Sequence, residues 1–253
     1  MSRREEHFTV GELARVDVDL ATGSVQVAVG DAGRVEVLLD ASSPEQFDIT
    51  QLGDSIAVRA PSGWLSRGAK ANVSLVVPAR TDLTVNVASA EVTVRGELGG
   101  LRLRTASSTI NVEAASQVEA HSASGSVRIE SAGEVIASSA SGDVRVGRVA
   151  GPLRASSASG DVQADYVGGD VDVNTTSGDI RLRHCDGDDI TLKTVSGDIA
   201  IGLPSGIRVV PEISTLSGST TLPKGPVSSS EVARRTVRLR ARAVSGDVRI
   251  QRV

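Results

Sequence analysis

Apolar and polar side chains alternate along most of the chain in short bursts, and the bursts themselves recur. Aligned on Ser89, Ser107, Ser124, Ser141, Ser159, Ser177, Ser196, Ser217 and Ser245, the successive intervals are 18, 17, 17, 18, 18, 19, 21 and 28 residues. Six positions before the serine stand Leu83, Leu101, Val118, Val135, Leu153, Val171 and Ile190, and four before stand Val85, Leu103, Ala120, Ala137, Ala155, Val173 and Leu192. Three positions after it come Val92, Ile110, Val127, Val144, Val162, Ile180 and Ile199; five after come Val94, Val112, Ile129, Val146, Ala164, Leu182 and Ile201. Polar residues such as Arg102, Glu119, Arg145, Asp172 and Arg181 fill the positions between. Period-two alternation is a strand signal, so each unit predicts one strand before the serine and one after it.

A unit of about 18 residues repeated this steadily is the mark of a solenoid. The expected architecture is all-β: a single parallel β-solenoid, or β-helix, with one coil per repeat stacked at about 4.8 Å. The usual preference of parallel crossovers makes it right-handed. A further column, two positions before the serine, holds Thr105, Ser122, Ser139, Ser157, Thr175, Thr194 and Thr215. By parity it faces inward, and a stacked row of hydroxyls that bond one another is expected there. The Ser-Gly pair turns the corner, with glycine supplying a permissive backbone, and the Asp that follows can accept nearby turn N–H groups.

Residues 1–82 are β-rich but lack the tight period, and are read as an N-terminal cap on the first coil, since solenoid ends need protection. Within them, Thr22-Gly23-Ser24-Val25 resembles a degenerate corner, and residues 62–68 read as an exposed loop. Residues 83–253 form the solenoid repeats. They are interrupted at 223–236 by either a long loop or a cover for the last coil, before 237–250 resume the pattern.

Composition narrows the function classes. Hydrophobic residues are 40% of the 253, yet aromatics only 2%: Trp64, Tyr166, Phe8 and Phe47. The core is therefore aliphatic, and aromatic platforms for sugar rings are scarce. A net charge of -4 argues against a nucleic-acid partner. The basic run Arg234, Arg235, Arg238, Arg240 and Arg242 alternates with apolar residues, as one solvated strand face would. Cys185 is the lone cysteine, which fits a reducing compartment. Residues 1–10 show no apolar run after their charges, and no stretch is long and apolar enough for a transmembrane segment. The expectation is a cytoplasmic chain, with peripheral envelope association left open.

The reiterated Ser-Gly-Asp-Val/Ile units between Ser124 and Ile250 resemble those of the bacterial putative-adhesin β-strand-repeat family, a domain of unknown function, over about residues 83–253. The resemblance implies a solenoid, adhesion by analogy with surface β-helical proteins, and a place in or near the cell envelope. It implies no catalytic residues.

Candidate chemistry is sparse. The chain has no Gly-x-Ser-x-Gly elbow, no phosphate-binding glycine loop and no dinucleotide fingerprint, and His7, His121 and His184 are scattered. No catalytic or cofactor-binding residue is assigned, and no cofactor is expected. Two arrangements have ligand character. Asp143, Asp161, Asp179 and Asp198 should stack along one edge, where either a cation bridges them or turn N–H groups occupy them, the latter favoured. His184, Cys185 and Asp186 share a turn that could hold a metal, although a polar turn is the plainer reading. The function expected is a non-catalytic scaffold or interaction protein, adhesin-like in architecture, that meets a protein partner or itself through solenoid faces or ends. The alternatives are a carbohydrate-binding adhesin and, further off, a polysaccharide-processing β-helix enzyme.

Overall fold

The computed structural model describes residues 2–61, 70–223 and 235–253. The expected loop at 62–68, and most of the interruption at 223–236, lie outside the described residues. Among the described residues the protein is all-β apart from a single 3-10 turn, Pro44–Gln46, and its strands are mostly parallel. It divides into two compact units, Met1–Ser131 and Ala132–Val253.

In the first unit the segment expected as a cap itself supplies coils. Strand Arg15–Val29 runs parallel to Asp82–Thr105, with Val16 opposite Leu83, Val18 opposite Val85 and Val25 opposite Val92. Its other edge pairs, again in parallel, with Ser55–Arg59 and Lys70–Val77, so that Val16 also faces Ile56 and Val25 also faces Val73. The first coil in sequence is thus second in the stack, enclosed by a coil that follows it in the chain. True capping comes from antiparallel strands: Arg34–Ala41 on Lys70–Val77, Ser2–Thr9 on Arg34–Ala41, and Asp48–Leu52 on Ser55–Arg59. Ser2–Thr9 carries Arg3, Arg4, Glu5 and Glu6, and a charged edge strand discourages further pairing.

In the second unit the coils stack in sequence order up to residue 203. Leu153 lies between Val135 and Val171, and Val171 faces Ile190; in the companion row Val144 faces Val162, which faces Ile180, which faces Ile199. The order then breaks. Thr236–Ser245 pairs with Asp189–Ser196 on one edge and with Arg208–Ser217 on the other. Val248–Arg252 likewise sits between Ile199–Leu203 and Thr220–Thr221. The last coil in sequence is therefore inserted under the coil 208–221, which becomes the end of the stack.

Burial explains this order. Val237, Leu239, Ala241, Val248 and Ile250 are buried in the inserted coil, and each fully buried Val, Leu or Ile contributes roughly 1.5–3 kcal/mol relative to exposure. The end coil offers Val209, Pro211 and Ile213 at the matching positions, and none of these is fully buried. The better apolar coil goes inside. By the alternation of parallel pairing, with the Arg208 N–H bonded to the Arg235 carbonyl, the Pro211 nitrogen points to the free edge and removes one donor from it.

Candidate functional site

The corner is where the repeated polar residues meet. The inward hydroxyls are buried as the pattern predicts, at Thr105, Ser122, Ser139, Ser157, Thr175 and Thr194. They bond corner backbone. Ser122, Ser139 and Ser157 accept the backbone N–H of Gly125, Gly142 and Gly160 at 2.7, 2.8 and 2.9 Å, three residues ahead in their own corner. Thr175 instead donates to the Gly178 carbonyl at 2.8 Å. The row fastens the turn, because an unpaired backbone group at a buried bend costs more than an unmade hydroxyl pair, and Ser157 and Thr194 also reach the Gly142 and Gly178 carbonyls of the neighbouring corner at 3.4 and 3.3 Å.

The permissive backbone that the sequence suggests is used at Gly197, Gly218 and Gly246, with φ +156°, +159° and +146°, but other corner glycines have a different reason. At Gly160 and Gly178 the backbone lies outside the left-handed region, but a Cβ would stand 2.3 and 2.1 Å from the carbonyl oxygen of the corner below. Close approach between coils excludes a side chain there. At Gly246 both reasons apply, with φ +146° and a Cβ position 2.0 Å from the Gly197 oxygen.

The aspartates form a continuous ladder. Asp143 Oδ1 accepts the N–H of Asp161 at 3.0 Å, Asp161 that of Asp179 at 2.9 Å, and Asp179 that of Asp198 at 2.8 Å. It continues through the inserted coil, with Asp198 accepting from Asp247 at 2.8 Å and Asp247 from Ser219 at 2.9 Å. The second oxygens meet arginines: Arg145 at Asp143, Arg181 bridging Asp161 and Asp179, and Arg249 at Asp247. Like charges at coil spacing are thus held apart by backbone N–H groups and side-chain cations. Asp247, whose carboxylate accepts from Ser219 and lies beside Arg249, titrates below the ordinary 3.8. A carboxyl depressed on folding contributes stability above its unfolded value and loses it as pH falls through the folded one. Asp247→Asn, which keeps an Oδ1 acceptor, is expected to flatten the loss of denaturant resistance below about pH 4; an unchanged acid profile would show that this carboxylate does not carry it.

The fold takes Cys185 out of the turn cluster but keeps His184 Nε2 and Asp186 Oδ1 together at 3.4 Å. Cys185 is fully buried in a parallel bridge with Val167, and burial pushes its thiol up to about 12. His184 and Asp186 lie outside it. The His184 ring stacks on Tyr166 with centroids 5.4 Å apart, Tyr166 donates to Asp186 Oδ2 at 2.8 Å, and Arg148 covers the tyrosine ring at 4.1 Å. Among the described residues no group of three or more His, Cys, Asp and Glu side chains is placed to hold a metal ion. Native protein should resist iodoacetamide at neutral pH and react only once unfolded; prompt alkylation of the folded chain would place Cys185 in contact with solvent. The stack Arg148, Tyr166, His184 escaped the sequence reading, although its members stand 18 residues apart and so had to be neighbours in the pile.

The outward face of strands Val171–Thr175, Asp189–Ser196 and Thr236–Ser245 carries a shallow depression of about 280 Å³, lined by Asp172, Thr191, Lys193, Arg240 and Arg242. Arg240 and Arg242 were read from sequence only as a solvated face. That reading could not place Lys193 beside them, because the pairing Lys193–Arg242 spans the break in coil order. His121, the remaining histidine of the repeats, sits 3.0 Å from Glu119, and this contact holds the Glu119 carboxyl below its ordinary range.

Comparison with known proteins bears on the fold. A crystal structure of a putative adhesin from Parabacteroides distasonis is similar over 100% of this chain and 97% of that one, with a TM-score of 0.55 and 12% identity. A second, from Bacteroides fragilis, is similar over 98% and 97%, with a TM-score of 0.51 and 11% identity. No curated protein matches the chain. The family profile of Toastrack DUF4097 matches residues 14–253, nearly the whole chain. By that match over nearly its whole length, this protein belongs to the Toastrack DUF4097 family.

Proposed function

We propose that the protein is a non-catalytic, adhesin-like binding scaffold that offers its outward sheet faces to a protein partner. The observation that carries this reading is the use made of the repeat's reactive groups. Corner serines hold glycine N–H groups, corner aspartates hold the next coil's N–H groups, and the one thiol is buried and protonated. A nucleophile needs a base within reach and an approach for substrate, whereas these groups are already committed to the backbone. What faces solvent is largely a regular array of polar and charged side chains, with exposed apolar ones among them at Val195, Leu216 and Val244, the kind of surface on which repeat proteins bind partners. We place that work in the cytoplasm, which the single, buried and free cysteine fits.

Photocrosslinking from outward positions of the tagged full-length protein in native cells, followed by mass spectrometry, tests the reading. A recurrent protein adduct mapped to one sheet face is the expected result. Glycan adducts alone, or bait without any partner, would overturn it.

A further inference from the structure

Resting on that reading, we infer that the outward face of the C-terminal coils is a docking site for an acidic, amphipathic helix of a partner protein. Three rows of side chains run across the strands there. The first is apolar: Val195, Val244 and Leu216 occupy corresponding positions on neighbouring coils, each between residues paired in register, and are 50%, 47% and 85% exposed. The second is cationic, with Lys193 directly opposite Arg242. The third runs Asp172, Thr191, Arg240 on successive strands, and the depression lies between it and the cationic row.

Charge says what the site lacks. Arg242 is matched by Glu212 at 2.9 Å, and Arg240 is shared between Asp189 at 3.2 Å and Glu212 at 3.7 Å. Asp172 accepts from Asn174 at 2.9 Å. Among the described residues Lys193 and Thr191 have no such partner, so the depression keeps an unmatched ammonium and a free hydroxyl flanked by two guanidiniums. A carboxylate supplies what those donors require.

Direction says what shape would carry it. The apolar and cationic rows both follow the stacking axis, with neighbours about 4.8 Å apart and the three-residue row about 10 Å long. An extended strand alternates its side chains to opposite faces and cannot fill two adjacent rows together. A helix lying along the axis presents neighbouring stripes whose members are about 5–6 Å apart. Its leucines then cover Val195, Val244 and Leu216, and its flanking glutamates reach Lys193, Arg240 and Arg242. Exposed apolar side chains rimmed by charge are the usual signature of a protein contact.

The test is fluorescence anisotropy with full-length protein and three probes: a labelled helical peptide bearing a leucine stripe beside a glutamate stripe, the same peptide with lysine for glutamate, and phosphatidylglycerol vesicles. Saturable binding of the acidic peptide is expected, weakened about tenfold or more by Lys193→Glu with Arg242→Glu. Val244→Ser with Leu216→Ser should also weaken it, while Gln163→Glu, on the companion sheet, leaves it unchanged. Circular dichroism and melting curves establish that each variant is folded. Equal binding of both peptides, wild-type affinity in the charge-reversed variant, or vesicle binding without peptide binding would each overturn the site. A crosslinked protein partner mapped to another face would keep the scaffold reading while this site fails.

Discussion

Gly178→Ala should lower stability by about 3 kcal/mol, although the glycine adopts a backbone conformation open to any residue. The new methyl would meet the Gly160 carbonyl oxygen at 2.1 Å, and that oxygen belongs to backbone pinned by its own coil. Relief requires one corner to move away from the next, which stretches the Asp161–Asp179 contact of the ladder. Gly53 is the contrasting case, with φ +60° but nothing within 4 Å of a would-be Cβ. Gly53→Ala is expected to cost about 1 kcal/mol, the penalty of the left-handed conformation alone. Urea denaturation of the two variants separates the explanations. A Gly53→Ala loss equal to or above that of Gly178→Ala would show that conformation, and not coil-to-coil contact, selects glycine at the corner.

Leu239→Ala should cost about 3–4 kcal/mol, within the range for a fully buried leucine whose surroundings close only in part. Leu239 has Ile190 on one side and Pro211 on the other, so the cavity would sit within the inserted coil. Val209→Ala in the end coil, where the side chain is already partly open, should cost no more than about 1 kcal/mol. The inequality follows from coil order. Were coil 208–221 stacked directly on 189–203, with 236–252 at the end, the two substitutions would exchange magnitudes. Paired thermal and urea melts decide the matter, and a Val209→Ala loss exceeding that of Leu239→Ala would contradict the inserted arrangement.

Much of the interior was legible because its signal is local. A strand buried on one face must alternate, and a coil must repeat, so Val85, Leu103, Val144 and Ile199 could be assigned inward from spacing alone. The inward hydroxyl column followed from the same parity. Its bonding did not, since sequence cannot tell whether Ser139 meets the next hydroxyl or its own corner backbone. The aspartate ladder runs from Asp198 to Asp247 and only then to Ser219, an order hidden in the sequence because the intervals of 21 and 28 residues gave no sign that the later coil slips beneath the earlier one. Parallel pairing is set by which coil buries more apolar surface, and the contrast between Leu239 and Pro211 carries that information only when both are considered for one slot. The same slip hid the candidate binding face. Lys193 and Arg242 lie far apart in sequence and become neighbours only through it.

Coil order is the claim on which the binding face depends, and a cysteine-pair experiment reads it directly. In a Cys185→Ser background, Thr191→Cys with Arg240→Cys places two cysteines on adjacent strands, whose Cα atoms about 4.8 Å apart fall within the span of a disulfide. Thr191→Cys with Glu212→Cys places them two strands apart, near 10 Å, which is beyond it. Mild oxidation and non-reducing peptide mapping should give rapid, complete crosslinking of the first pair and none of the second. Crosslinking of 191 to 212 with 191 and 240 left free would mean that the coils stack in sequence order, and neither the inserted coil nor the face it builds would stand.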